Sequence, residues 1–269
     1  MCTYIYMLPA VQCSLMGGRR CCVDTCRNQV DKSIDSFDRV VELDEHREPY
    51  MWQRGLSLYY AERYSEAMAQ FELDVSVNPN DTEESIWHWL AHVRRLRTEG
   101  KHDAKAAVAI ARANLLKVGT DPRPVMRSAM ELFSGGPHRG SDDSDAIHVL
   151  ALDAAGGPRS FDGGAQHDRF CAHLPPFLFW RAVTVVHLFD GDVWLVCTAC
   201  ADADLYLALW HEATGDEPAA LKAMEYAVGS PYGPASNDYM WHVALVHAAL
   251  RGWATNLEIT PQDRLRDDL

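Results

Sequence analysis

The segment RGLSLYYAERYSEAMAQF (Arg54–Phe71), which continues as ELDVSVNPND, decides the fold. It sets Gly55 inside an apolar helical pattern, with Ala67 twelve residues later and Phe71 four residues after that. A glycine in one helix and an alanine in the next leave room for the two helices to cross closely. Pro79 ends the second helix, because proline has no amide N–H and clashes with the preceding turn. The spacing predicts antiparallel helix pairs, each with an apolar face that another pair covers.

This pattern resembles the tetratricopeptide repeat, a unit of ~34 residues. The resemblance is carried by Gly55, Ala67, Phe71 and Pro79, and more weakly by a second set of small residues. That second set is Ala208, Ala220 and Ala227. The segments NPNDTEESIW, DPRPVMRSAMELF and SPYGPASNDYMW extend the likeness to a group of tetratricopeptide proteins of plants, algae and bacteria. The resemblance implies an all-α fold in which antiparallel helix pairs stack into an α-solenoid with a concave groove.

The repeat pattern is interrupted by a stretch rich in glycine, aspartate and proline, which is followed by β-branched runs. We interpret this stretch as an insertion that is either irregular or a β-hairpin turning at Asp190–Gly191. The chain then divides into an unassigned N-terminal segment, helical repeats, the loop-rich insertion, a C-terminal repeat with a closing helix, and a polar tail. In the same order, these segments are residues 1–28, 29–134, 135–203, 204–253 and 254–269.

Composition limits the classes of partner. The chain has 269 residues and a net charge of −13, so it repels phosphate backbones and we expect no nucleic-acid binding. We interpret the local basic group Arg94, Arg95 and Arg97 as a solvated helix face. No apolar run reaches the ~18 residues of a membrane span. Eight cysteines in a long chain with large apolar helices favour reduced thiols, and so an intracellular protein of the cytoplasm or an organelle such as a plastid.

Candidate catalytic chemistry is sparse. His88 and His92 lie one helical turn apart, as in some zinc sites, but Trp89 stands where a metalloprotease needs its glutamate. The Cys197-x-x-Cys200 pair lacks the two further ligands that zinc needs. The motifs of serine hydrolases, P-loops and dinucleotide folds are missing from the sequence. We therefore predict a protein that is not an enzyme and holds neither metal nor cofactor.

The function that the resemblance implies is recognition of a protein, as a peptide or a helix, in the concave groove. The expected groove residues are Trp52, Leu56, Tyr59, His88, His92 and Arg95. The aromatic members are also compatible with a core position between repeats. We predict a non-catalytic scaffold or adaptor. The alternative is an accessory domain of an enzyme or metal-handling factor that uses the cysteines and histidines.

Overall fold

The computed structural model describes residues 19–135, 183–189, 192–229 and 239–253, with side chains for 27–135, 202–229 and 239–253. Its helices are α1 (Arg19–Leu43), α2 (Trp52–Tyr60), α3 (Tyr64–Val77), α4 (Thr82–Thr98), α5 (Ala104–Ala113), α6 (Pro124–Ser134), α7 (Thr198–Thr214), α8 (Glu217–Gly229) and α9 (Tyr239–Leu250). A short 3-10 helix, Glu45–Tyr50, joins α1 to α2. The expected all-α class, with helices packed on helices, is confirmed.

Two strands lie within the expected insertion. β1 (Val183–Phe189) and β2 (Asp192–Cys197) pair antiparallel, and α7 begins directly after β2. The rest of 135–203 up to the start of β1, except Gly135, falls outside the described residues, as does the expected turn at Asp190–Gly191. This pairing does not establish a β-hairpin insertion, which stays a prediction. The segments 1–18 and 254–269 also lie outside the described residues.

Local sequence explains where several helices begin and end. The Asp81 carboxylate accepts a hydrogen bond from the backbone amide of Glu83 at 3.1 Å, which caps the start of α4. Asp103 caps α5 in the same way, through the amide of Ala106 at 2.7 Å. Helix α6 ends at Gly135, whose φ of 72° lies in the left-handed region that glycine adopts without strain.

The residues that suggested close helix crossings are buried where α2 meets α3. A Cβ added to Gly55 would lie 2.6 Å from Phe71 Cε1, so the glycine is needed for this approach. Ala67 and Phe71 are fully buried, and Pro79 follows the end of α3. In the C-terminal half, Ala208 on α7 is likewise buried, as are Ala220 and Ala227 on α8.

Consecutive helices from α1 to α5 pack on one another, and α7 packs on α4, α5 and α6. Helix α9 contacts α7 and α8 and also returns to α1, so the first and last described helices meet. Every residue from Met240 to Ala249 is buried, which is typical of a helix enclosed on all sides. Among the described residues, no helix is both long and apolar enough to cross a membrane.

Candidate functional site

The expected groove residues of α2 lie together on one face of that helix, and α9 contacts this face at Trp52. Leu56 and Tyr59 are buried in the core, whereas Trp52 is half-buried. The Trp52 ring packs edge-on against Tyr239 of α9, with 5.1 Å between ring centroids. A residue of α9 therefore lies against Trp52, at one end of the face on which we expected a peptide to bind.

The expected groove residues of α4 point elsewhere. Tyr59 packs edge-on against Trp87, with ring centroids 5.3 Å apart, so the α2 face meets α4 at Trp87. His88 lies about 100° further round the helix and places Nε2 3.2 Å from Glu72 Oε1 on α3. His92 follows one turn later, with its ring centroid 6.3 Å from that of His88. The structure thus does not bring His88 and His92 onto the surface formed by Trp52, Leu56 and Tyr59.

The two α4 histidines are uncharged near neutral pH. Burial lowers the pKa of both His88 and His92. The charge of Arg95, half-buried on the same helix, lowers the pKa of His92 further. In the part of the chain that the structure describes, no group of three or more His, Cys, Asp or Glu side chains is placed to hold a metal ion. The side chains of all eight cysteines, including Cys197 and Cys200, lie outside the part of the chain whose side chains are described.

A second group of polar side chains lies between α2, α4, α7 and α9. We call it the Glu212 cluster, and its members are Tyr59, Tyr60, Arg94, Glu212, His247 and Arg251. The Arg251 guanidinium donates a hydrogen bond to Glu212 Oε1, and Arg94 Nη1 lies 3.6 Å from the same oxygen. His247 Nδ1 lies 3.3 Å from the Tyr60 hydroxyl. Four helices distant in sequence thus converge on one carboxylate.

The electrostatics of the Glu212 cluster fix its charges at neutral pH. Burial disfavours the ionised carboxylate, yet His247, which is protonated in the acid range, together with Arg251 and Arg94 outweighs burial and holds the pKa of Glu212 at about 2. Burial lowers the pKa of His247 to about 3, so its imidazole is neutral. Burial raises the pKa of both tyrosine hydroxyls, and each stays protonated. The cluster therefore contains two guanidinium cations and one carboxylate.

Two buried polar atoms of this cluster have no hydrogen-bond partner in the described structure: the Tyr59 hydroxyl and His247 Nε2. His247 Nε2 does lie 3.5 Å from Glu212 Oε2, but no hydrogen bond joins them. Buried polar atoms are nearly always satisfied by protein or water, so an exception needs an explanation. Other described residues also have such atoms, among them His88, His92 and Arg95 of α4. The Glu212 cluster combines its two atoms with two guanidinium groups, which makes it a candidate for a ligand site.

The interpretation of Arg94 and Arg97 as a solvated face is wrong. Arg94 is largely buried against Glu212, and its Nε donates to the Tyr64 hydroxyl at 3.4 Å. Arg97 donates to the backbone carbonyls of Glu212 and Ala213 at 3.1 and 3.4 Å, where it satisfies the carboxyl end of α7. These arginines join α4 to α7, so packing between distant helices overrides what their local charge pattern suggested.

A third group, the Arg123 cluster, joins the start of α4 to the segment before α6. Its members are Asp81, Glu83, Asp121, Arg123 and Tyr206. Arg123 forms ion pairs of 2.6 to 2.8 Å with all three carboxylates, and the Tyr206 hydroxyl donates to Glu83 at 2.6 Å. Burial raises the pKa of Glu83 despite this pairing. Because these groups are paired with one another, the cluster is satisfied as it stands and joins helices.

Sequence reasoning missed the Glu212 cluster, although one signal for it was present. Glu212 and His247 are ionisable residues in the apolar helices LYLALWHEA and VALVHAAL. A buried ionisable side chain is rare unless it is paired, so such positions indicate interior polar contacts. The pattern does not reveal which helices supply the partners, because those contacts span up to 187 positions, as between Tyr60 and His247.

The outer surface has a different character near the N-terminus. Of the large apolar side chains among the described residues, six are exposed, and five of these lie between positions 40 and 77. We call these five the outer patch: Val40, Leu43, Tyr50, Leu73 and Val77. They belong to α1, the 3-10 helix and α3. The sixth, Tyr226, lies on α8.

Two sequence comparisons, with protein-family models and with curated proteins, gave no match. No protein-family model fits this chain, and no curated protein matches its sequence. The tetratricopeptide resemblance therefore remains a prediction from the residues that carry it.

Proposed function

We propose that this protein is a non-catalytic adaptor that binds a protein partner through the outer patch. The observation that carries the proposal is the concentration of exposed apolar side chains on three neighbouring elements, two of which expose Leu43 at 69% and Tyr50 at 67%. Exposed apolar surface that is grouped in this way is typical of interaction sites. The concave groove is the less favoured place for a partner, because Trp52 packs against Tyr239 of α9 and Tyr59 is buried against Trp87 of α4.

A polar network supports the view that the outer patch is one surface. Arg54 donates to Asp38 of α1 at 2.8 Å and to Gln70 of α3 at 3.0 Å. Gln70 in turn donates to the backbone carbonyl of Glu48 in the 3-10 helix at 2.8 Å. These anchors lie two or three residues before Val40, Leu73 and Tyr50. The network therefore holds the patch-bearing parts of the three elements at the same end of the helices.

Charge around the patch favours a basic partner. The segment 31–48 carries seven carboxylates and only three lysine or arginine side chains. Complementary charge accelerates encounter and suppresses wrong partners. A partner segment with apolar side chains flanked by lysine or arginine fits this surface, and its binding should weaken as salt screens the exposed charges.

We also propose that the antiparallel helix pairs of this chain stack as tetratricopeptide-like repeats. This arrangement is supported by the close approach of Gly55 to Phe71, by buried Ala67, and by Pro79 at the end of α3. We propose that the helix pairs α2–α3, α4–α5 and α7–α8 are tetratricopeptide-like units. The contact of α9 with α1 then closes the array and places the partner on its outside.

Site-specific photo-crosslinking tests the adaptor proposal. A benzophenone amino acid replaces Tyr50 in the full chain, and a matched protein carries it at Tyr226, which is 54% exposed on α8. Both are irradiated in an extract of the source cells. We expect a discrete adduct from position 50 that Leu43→Asp abolishes and Tyr226→Asp leaves unchanged, while the helical circular dichroism signal of both variants is kept.

Equal adducts from positions 50 and 226 would show non-specific crosslinking and contradict the proposal. An adduct that survives Leu43→Asp would move the contact away from the outer patch. Absence of any adduct from position 50, in a protein whose helical signal is intact, would also count against a partner at this surface.

A further inference from the structure

We propose that the Glu212 cluster binds a small oxyanion, of the phosphate or carboxylate class, between the Tyr59 hydroxyl and the guanidinium groups of Arg94 and Arg251. This inference concerns the interior end of α2, α4, α7 and α9, and it is independent of the outer patch. It rests on three features of the cluster: its charge, its hydrogen-bond inventory and its access to solvent.

The first feature is charge. Arg94 and Arg251 both contact Glu212, and the neutral His247 contributes no charge. The cluster therefore has one more cation than it has anions. Isolated charge is costly inside a protein, and a buried cation is normally paired. A single bound anion would complete the pairing without any change in the helices.

The second feature is the balance between hydrogen-bond donors and acceptors. Each guanidinium offers five N–H groups and no acceptor. Glu212 accepts from Arg251, and the Tyr64 hydroxyl accepts from Arg94. The Tyr59 hydroxyl is buried and bonded to no group of the described structure. The Tyr59 ring centroid lies 5.7 Å from that of Tyr64, whose hydroxyl accepts from Arg94, and 5.2 Å from that of Tyr60. The Tyr59 hydroxyl is therefore a buried donor that has no acceptor among the described groups.

The third feature is access. The side chains of Glu212, Arg251 and Arg94 are 12%, 17% and 22% exposed, so the charged rim reaches solvent while Tyr59 lies beneath it. The proposed ion lies between this partly exposed rim and the hydroxyl. Apolar rings border the cluster, since Trp87 packs against both tyrosines and Trp253 packs against His247.

The chemistry of these donors selects the ligand class. Planar guanidinium groups bind carboxylate and phosphate through paired N–H donors, and arginine is the preferred residue for that task. A phenol adds one neutral donor with a fixed direction. Chloride is a single atom and offers no pair of oxygens to match the two parallel N–H groups of a guanidinium. The proposed ligand therefore has at least two oxygen atoms and a negative charge.

The test measures binding of inorganic phosphate and of acetate by isothermal titration and by thermal melting, with chloride at equal ionic strength as reference. The decisive variant is Tyr59→Phe, which removes only the unpartnered hydroxyl. Its matched control is Tyr206→Phe, which removes a buried hydroxyl that is bonded to Glu83. Both variants are compared with the unaltered full chain.

We expect phosphate, acetate or both to bind and to raise the melting temperature above that measured with chloride. The ion that does so identifies the ligand as a phosphate or a carboxylate. Tyr59→Phe should weaken this binding at least tenfold, and Tyr206→Phe should leave it unchanged. Without added anion, Tyr59→Phe should melt no lower than the unaltered chain, since deleting an unpartnered buried hydroxyl removes no hydrogen bond.

Failure of both oxyanions to bind at millimolar concentration would overturn the proposal. Equal binding to the unaltered chain and to Tyr59→Phe would place the ion elsewhere and overturn it as well. A large loss of stability in Tyr59→Phe without anion would show that the hydroxyl already has a permanent partner. None of these results bears on crosslinking from the outer patch, so the two proposals fail separately.

Discussion

Replacing Gly55 with alanine is the most direct perturbation of the α2–α3 crossing. The added Cβ would lie 2.6 Å from Phe71 Cε1 and 2.7 Å from Cζ, which is closer than any stable contact between carbon atoms. Phe71 is fully buried, so its ring cannot swing into solvent. The overlap must be relieved by shifting either the ring or the helix α2.

Two opposing effects set the size of this change. Alanine is a better helix former than glycine, by about 1 kcal/mol at an interior position. Overpacking a tight core costs about 1–3 kcal/mol. We expect overpacking to win, with a net loss of about 1 kcal/mol in the free energy of unfolding. For a domain of 150–250 residues such a loss lowers the melting temperature by about 2–4 °C.

A double-mutant cycle isolates the contact. Phe71→Leu removes the ring atoms that the new Cβ would meet, so it should cost less in the Gly55→Ala background than alone. We expect a coupling of at least about 1 kcal/mol between the two sites, measured by urea unfolding followed by circular dichroism. The control is Gly229→Ala at the end of α8, where an added Cβ meets nothing within 4 Å.

The reasoning is refuted if Gly55→Ala is as stable as the unaltered chain or more stable, because helix propensity would then outweigh the overlap. Additivity of Gly55→Ala and Phe71→Leu within about 0.5 kcal/mol would also show that the two residues do not contact. A large loss in the Gly229→Ala control would trace the effect to glycine replacement in general.

Two further predictions concern α3. Ala67→Leu should overfill its fully buried position and cost about 1–3 kcal/mol in urea unfolding; an unchanged transition would mean that Ala67 does not lie at a helix crossing. Burial raises the pKa of Asp74 to about 7, although Gln70 donates a hydrogen bond to it. The unfolded chain loses this proton near pH 4, so ionisation of Asp74 should lower native stability as pH rises from about 4 to about 7, by up to about 4 kcal/mol. Asp74→Asn should remove that decline, and parallel pH profiles of the two proteins would contradict the assignment.

The features within single helix pairs could be predicted from the sequence, because they depend on residues close together in the chain. The crossing of α2 and α3 follows from Gly55 and Ala67, and the break after α3 follows from Pro79. Aspartate is a favoured helix N-cap residue, and α4 begins directly after Asp81. Each of these features is encoded within one helix pair.

The site could not be predicted in the same way. Assigning a residue to a face of α4 requires the correct register, and an error of one residue rotates it by about 100°. His88 and Arg95 were expected in the groove, yet Trp87 and Arg94 face Tyr59 and Glu212. The contact between α2 and α9 joins residues more than 180 positions apart, Trp52 and Tyr239. No local sequence pattern encodes that contact.

The two buried arginine clusters differ in how completely their polar groups are paired within the chain. Burying charge is costly, and apolar side chains of similar volume often replace buried ion pairs without loss of stability. In the Arg123 cluster the tyrosine hydroxyl donates to Glu83 and three carboxylates surround one cation, so the cost is met by contacts within the chain. In the Glu212 cluster two cations share one carboxylate, and the Tyr59 hydroxyl beside them has no partner in the described structure. The difference between the two clusters therefore lies in one buried hydroxyl. That of Tyr206 is bonded within the chain, and the oxyanion that we propose would supply the partner for that of Tyr59.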